Sequence, residues 1–341
     1  MAQLSIVMPV FNRPDEVKVM VDSILANTYQ DWEMLAVDDG SDSDTCALLS
    51  QYADSDDRIK VVKRDRQPKG AQTCRNIGLE MSTGEFIVFF DSDDYITPQC
   101  LAQRVACLQQ HPDMDFMVFP SALFHDGHFD TAASPYVFGY PINDDDLSAF
   151  AERFLPFIVW NNIYRRQALL DHKLVWDPQL KSLQDADFNI QSLTAGLRYD
   201  YAQALPDYGY RMGGRAGSVS KRIVTQEHFK SNLYALEKSY QTIQSRVGDS
   251  LDKQLYYGVL TVYNPVMDQG VNVAFADELI KMMSKYSPRY SHLLRLQVRI
   301  SLFLGHFIAK KLARQVPMAL FLIRRKYQAY RKRQSIGQLR K

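Results

Sequence analysis

Five short apolar runs restrict what the first third of this chain can fold into. They are LSIVMPV (Leu4–Val10), EMLAVD (Glu33–Asp38), IKVVK (Ile59–Lys63), FIVFFD (Phe86–Asp91) and DFMVFP (Asp115–Pro120). Each is the length of a buried strand. The segments between them, around 42–53, 70–81 and 98–110, are of helical length. After the first run, Val17, Met20, Val21, Ile24 and Leu25 fall on one helix face. Strands alternating with helices predict an α/β fold, a mainly parallel sheet covered on both faces. Ligands of such sheets bind beyond the carboxyl ends of the strands.

Those ends are unusually polar. The first run leads into PVFNRPDE (Pro9–Glu16), the second into VDDGSDSD (Val37–Asp44), and the fourth into Asp91, Ser92, Asp93 and Asp94. Carboxylates packed this closely repel one another unless a cation lies between them. Mg²⁺ or Mn²⁺ suits such a place, because it commonly takes one or two carboxylates and fills its other positions with substrate phosphates. The plain alternative is that these aspartates form turns and cap helices. A calcium-binding loop counted from Asp91 would need Gly and Glu where Ile96 and Ala102 stand. The chain has no GxGxxG after its first strand and no GxxxxGK[ST], which disfavours dinucleotide and P-loop chemistry.

Charge divides the chain. Residues 279–341 carry sixteen Lys and Arg and no acidic residue, whereas the first 278 carry 24 basic and 39 acidic side chains, a balance of −15. The basic end (about 290–341) interleaves Lys/Arg clusters with short apolar runs, as an interfacial amphipathic segment does. Nucleic-acid binding, or helices packed on the rest with a solvated basic face, are the alternatives. The longest uncharged run there, Ile300–Ala309, is too short to span a bilayer. Cys46, Cys74, Cys100 and Cys107 have no paired metal-ligand spacing and are expected free, in a reducing compartment. No leader-like segment precedes the first strand, so a cytoplasmic protein, peripheral at the inner face of the membrane, is expected. Residues 121–220 loosen into loops with aromatics, in which Val159–Leu170 and Ser182–Leu193 read as helices; beyond Ser220 the chain reads as mostly helical.

In this order SIVMPVFN, VDDGSDSD, KGAQTCRNIGLEMSTGEFIVFFDSDD and LQDADFNIQ resemble the family 2 glycosyltransferases of the GT-A fold, over roughly residues 3–220. The resemblance implies a GT-A domain over 1–220, with a nucleotide-sugar half (1–120) and an acceptor half (121–220), followed by a helical region (221–341). It implies inverting transfer from a nucleotide-diphosphate sugar, UDP-linked by expectation. Pro9, Val10, Phe11 and Asn12 would line the nucleotide pocket, Asp38 or Asp39 would hold the nucleobase, and Arg75 and Asn76 would lie beside the donor. Asp91 and Asp93, flanking Ser92, would form the DxD element that holds Mn²⁺ or Mg²⁺, with Asp93 the direct ligand. Asp185 aligns with the catalytic base, although Gln184 replaces the usual Glu and Asp187 is close enough to compete. Near Tyr210 and Arg211 a histidine of some relatives is missing, and Arg215 is expected to take over diphosphate contact. The implied acceptor is a glycan, polyprenyl-diphosphate-linked in bacterial relatives that build capsule or O-antigen.

Other readings are weighed beside this one. A haloacid-dehalogenase-like phosphatase also ends a strand in DxD, but on its first strand and with Thr or Val where Tyr95 stands. A membrane-bound scaffold with a degenerate transferase domain would bind lipid without turnover. His125 and His128 read as a solvated loop pair. Trp160 and Trp176 fit either sugar stacking or the core. An anionic membrane surface through residues 290–341 is an expected partner, self-association is admitted, and nucleic acid is not expected.

Overall fold

The computed structural model describes residues 2–124, 129–131, 134–142, 145–211, 226–268 and 272–304. Strands and helices alternate as the apolar runs require: β1 (Leu4–Val10), α1 (Pro14–Leu25), β2 (Trp32–Asp38), α2 (Ser43–Ser55), β3 (Ile59–Lys63), α3 (Ala71–Met81) and β4 (Phe86–Phe89). Then follow β5 (Tyr95–Ile96), α4 (Cys100–Gln110), β6 (Phe116–Val118), β7 (Ser121–Phe124), α5 (Asp146–Ala151), β8 (Asn162–Arg165) and α6 (Arg166–Asp171). The chain continues through α7 (Gln184–Ala195), β9 (Tyr199–Tyr201) and β10 (Tyr208–Arg211) to α8 (Gln226–Val247), α9 (Asp252–Asp268), α10 (Val273–Tyr286) and α11 (Pro288–Leu304).

The main sheet has seven strands in the order β3-β2-β1-β4-β8-β6-β9, all parallel except β8. A second sheet, β5-β10-β7, lies beside the strand ends. Successive residues of β1 and β4 point to opposite faces. Leu4, Ile6, Met8 and Val10 join Phe86, Val88 and Phe90 in one cluster with α1 and α4, while Val7, Ile87 and Phe89 enter another. That second cluster continues without a break into Leu236, Tyr240, Val259, Leu260, Tyr263, Leu279 and Leu294. The C-terminal helices therefore cover one face of the sheet and share its core. At Gly78 α3 lies so close to β1 that a Cβ would stand 2.3 Å from a Val7 methyl.

The helix expected over Val159–Leu170 is replaced by a 3-10 turn (Val159–Asn161), then β8, and only then a helix, α6. A short apolar run suits either element, and here a gap decides. Ile163 and Tyr164 fill the space between β4 and β6, where an antiparallel strand satisfies both neighbours' backbone groups. The helix expected over Ser182–Leu193 is present as α7, with Leu183 in the left-handed region at its entry.

Candidate active site

The two loops after β1 and β2 are stitched into one wall. The Asp39 N–H donates to the Val10 carbonyl (2.8 Å), the Asn12 N–H to Ser41 Oγ (2.9 Å), and the Asp42 N–H to Asn12 Oδ1 (2.9 Å). Asn12, expected to line the nucleotide pocket, thus uses its amide oxygen to hold the neighbouring loop. Pro9 and Val10 are the buried end of β1, and Phe11 is exposed, with the Lys69 ammonium 3.4 Å from its ring centroid. The Asp38 carboxylate accepts from the Ser41 N–H (3.0 Å). Asp39, buried, accepts from Arg64 Nε (2.6 Å) and the Gly70 N–H (3.2 Å). Both candidates for the base contact are buried and bonded within the protein, Asp38 to one backbone N–H and Asp39 to an arginine and a backbone N–H.

β4 stops at Phe89, two residues before Asp91, and the aspartates form the turn that follows. Asp91 accepts from Arg75 Nη2 at 2.5 Å, and Asp93 from Arg13 Nη1 at 2.7 Å. Ser92 is the partly buried turn residue between them. Asp94 is fully buried and purely internal in its bonding, accepting from the Tyr208 hydroxyl (2.7 Å) and the Arg211 N–H (2.8 Å). Arg211 Nε donates to the Asp93 carbonyl (2.6 Å), so β10 carries the struts of this turn. Desolvation and the charge of Asp91 push the Asp93 carboxyl up, against the pull of Arg13; burial pushes Asp94 higher still, helped by Asp93 and Asp91.

These residues suit a divalent cation. Among the described residues no three Asp, Glu, His or Cys side chains form a self-contained cage, but Asp91 and Asp93 are 34% and 39% exposed and mutually repelling. The Arg13–Asp93 pair is open to solvent on both sides, so exchanging it for a metal costs about 0–1 kcal/mol of pairing.

Across the cleft, α7 carries Asp185 on its first turn. Its Oδ1 is buried without a hydrogen-bond partner. Burial pushes its carboxyl up to about 6; Arg75 pulls it down, Asp91 pushes it up, and its own backbone N–H pulls it down. Arg75 joins the two halves: its side chain is 4% exposed, its guanidinium lies 4.4 Å from the Trp176 ring centroid, and its Nε and Nη1 have no hydrogen-bond partner. Trp176 in turn stacks on Phe188 (4.5 Å, 15°), and Trp160 lies against Tyr208 and Tyr210. Both tryptophans are buried core residues. Asn76, expected beside the donor, spends both ends of its amide on the Trp176 backbone, donating to its carbonyl and accepting from its N–H, each at 2.8 Å. Asp187, two residues on, is paired with Lys238 of α8.

Arg13, Arg64, Lys69 and Lys238, which contact Asp93, Asp39, Phe11 and Asp187, were not singled out in the sequence. Arg13 directly follows the expected Asn12, a signal that was available; Lys238 had none. Arg215, His125, His128, Ser218 and Ser220 lie outside the described residues.

The strand ends of a mainly parallel α/β sheet thus carry acidic and arginine-bearing loops, facing a half-buried carboxylate on a later helix, where ligands of such sheets bind. Residues 5–172 match the family model described as Glycosyl transferase family 2, and the chain belongs to that family. The putative glycosyltransferase EpsH of Bacillus subtilis is 26% identical over 243 residues, 71% of this chain and 69% of EpsH. The Escherichia coli UDP-Glc:alpha-D-GlcNAc-diphosphoundecaprenol beta-1,3-glucosyltransferase WfgD is 33% identical over 114 residues, 33% of this chain and 44% of WfgD. The fold is that of S. aureus TarS 1-349, solved in complex with UDP-GlcNAc: the TM-score is 0.68 at 18% identity, with 92% of each chain covered.

Proposed function

We propose that this glycosyltransferase moves a sugar, with inversion, from a UDP-sugar to a hydroxyl of a lipid-linked glycan in bacterial surface-polysaccharide assembly. Asp185 carries the reading. It is a half-buried carboxylate with one buried, unpartnered oxygen, raised to about 6 and linked through Arg75 to Asp91 of the opposite wall. A base of that strength is mostly ionised at neutral pH yet basic enough to take a proton from a hydroxyl as it attacks. Inversion places that base on the sugar face opposite the departing diphosphate.

The nucleotide occupies the wall formed by Pro9, Val10, Phe11 and Asn12, its base toward Asp38. Asp91 and Asp93 would hold Mn²⁺ or Mg²⁺, which when bound supplies charge neutralisation to the leaving diphosphate. Arg75 keeps Asp91 and Asp185 in fixed relation, and Arg13, released from Asp93, is free to meet the diphosphate. The phosphatase alternative fails on position: Asp91 follows the fourth strand of the domain rather than the first, and is bound to Arg75.

The lipid-linked acceptor rests on WfgD, whose name gives a diphosphoundecaprenol acceptor. The described part of the basic end supports work at an anionic membrane. On α11, Leu293, Leu296 and Phe303 are exposed and, with the partly buried Ile300, form one stripe flanked by Arg289, Arg295 and Arg299. Among the described residues no helix is long and apolar enough to cross a membrane.

A panel of UDP-sugars with Mn²⁺ and a polyprenyl-diphosphate-linked sugar, scored by UDP release, tests the activity. Turnover that requires the metal and collapses in Asp185→Asn while UDP binding survives is the expected result; full turnover in that variant would refute the role of the base. For the membrane, sedimentation with phosphatidylglycerol vesicles but not phosphatidylcholine vesicles, lost in Leu296→Glu/Phe303→Glu, is expected.

A further inference from the structure

The segment that brings Asp185 to the cleft is held by α8, from the C-terminal helical region. Lys238 Nζ donates to Asp177 (2.7 Å) and to Asp187 (2.9 Å), two carboxylates ten residues apart. On the same helix, the Tyr234 hydroxyl donates to Asp177 (2.8 Å), Ser231 Oγ accepts from the Lys181 N–H (2.9 Å), and Asn232 Oδ1 accepts from the Ser182 hydroxyl (2.9 Å). Every one of these contacts lands between residues 177 and 187. That stretch enters α7 through Leu183 in the left-handed region, with no side-chain cap on the helix. The first turn of α7, where Asp185 sits, is therefore fixed by α8 rather than by its own capping. The ion pairs are largely desolvated, with side-chain exposures of 22% for Lys238, 11% for Asp177 and 7% for Asp187. Removing the lysine would take this cation from both carboxylates, leaving Asp177 with the Tyr234 hydroxyl and the Gln179 N–H and Asp187 with Gln191.

We propose that Lys238 is a positioning residue for sugar transfer: by tying Asp177 to Asp187 it holds the start of α7, and with it Asp185, at the cleft. The proposal rests on Asp185 acting as the base. It makes the helical region part of the catalytic unit. Lys238 also sets local charge. Asp185 feels Arg75 and Asp91, and in turn acts on Tyr164 and Tyr210, while Asp187 feels Lys238 and Asp177 and acts on Arg153. Without the lysine, Asp187 loses its paired cation and keeps only the charge of Arg153, which leaves a less balanced negative charge two residues from Asp185.

The test uses full-length Lys238→Met, Lys238→Arg, Asp187→Asn and the double variant Asp187→Asn/Lys238→Met, with UDP release resolved into kcat and KM and UDP binding followed by calorimetry. Displacement of a positioned group costs about 10- to 100-fold, so kcat of Lys238→Met should fall by that much with the UDP Kd changed by less than about twofold. Its acid limb should move to higher pH and return in the double variant, which a merely structural loss would not produce. Lys238→Arg should recover most of the rate, since the charge is kept. If Lys238→Met does not fold, Asp187→Asn carries the test, with a loss in kcat of about tenfold and intact UDP binding expected. A folded Lys238→Met with wild-type kcat and pH profile overturns the proposal, as does a loss of UDP binding in step with kcat. Asp185→Asn, run alongside, separates the two ideas: if it stays active the base reading fails, and if it is inactive while Lys238→Met is normal only the clamp fails.

Discussion

The pH dependence of transfer is the sharpest consequence of the site. Asp185 sits at about 6 because burial disfavours its ionised form more than Arg75 favours it. Acting as base, it must be ionised, so kcat should be flat above pH 7 and fall tenfold per unit below about 6. At pH 5 roughly one-tenth of the molecules would carry the active form. Asp185→Asn should cost about 10²–10⁴-fold at pH 7.5. Arg75→Met removes the cation that holds Asp185 down, so the limb should move above 6. It must be read on kcat, because Arg75 also binds Asp91 and its loss alters KM. The same shift has a sign for stability. A carboxyl raised in the folded state from 3.8 to about 6 is most favourable to folding below 3.8, and that contribution is lost as pH rises through 6. At pH 7.5 the neutral Asp185→Asn should therefore be more stable. One pKa unit corresponds to about 1.4 kcal/mol, and the partial solvent access of Asp185 discounts the two-unit shift to about 1 kcal/mol, a melting temperature higher by about 2 °C. Stopped assays of UDP release from pH 5 to 8.5 and scanning calorimetry measure both. A kcat independent of pH across that range, or an Asp185→Asn enzyme that is both active and less stable, would refute the reasoning.

Neutralising Asp91 and Asp93 together, or chelating divalent ions, should abolish UDP release in a coupled assay; chelation should leave the melting temperature unchanged in calorimetry, whereas the double variant, which strands the buried Arg75, should melt lower. Arg104 and Asp207 are paired at 2.6–2.7 Å with both side chains at 0% exposure, so Asp207→Asn should cost about 3–5 kcal/mol in chemical denaturation by stranding a buried guanidinium. Gly78→Ala, despite the helix-propensity gain, should cost about 1–3 kcal/mol of stability, read as a lower urea midpoint at unchanged m, because its Cβ meets Val7 at 2.3 Å.

Much of the fold could be read from the chain because parallel strands buried on both faces leave continuous apolar runs, and β1, β2 and β4 are such runs. The acidic turn after β4 was equally visible as a cluster, three carboxylates in four positions, although turn formation alone was the plain alternative. β8 was not visible. Its direction is set by the gap between β4 and β6, and nothing local in Val159–Leu170 encodes that gap. Roles fixed by long-range partners were hidden for the same reason. Asn76 meets Trp176 one hundred residues away, and Asp187 meets Lys238 across 51. Trp160 and Trp176 could have served sugars or the core on sequence grounds; the stacks on Tyr208 and Phe188 decide for the core.

The acidic residues tolerate one another because arginines from separate segments stand between them. Arg13, from the loop after β1, holds Asp93; Arg64, just beyond β3, holds Asp39; and Arg75, on α3, holds Asp91 and lowers Asp185. These pairs differ in exposure, and so in what can displace them. Arg75 has a 4% exposed side chain backed by Trp176, and Arg64 is nearly as enclosed, whereas Arg13 and Asp93 are each about 40% exposed. A desolvated pair resists exchange, because either partner left alone is a buried charge; a solvated pair gives up about 1 kcal/mol or less. The cleft is therefore built with two fixed arginines that set its geometry and one exchangeable arginine at its mouth. Among the described residues of this wall, Asp93 is the carboxylate whose arginine partner is exchanged at least cost.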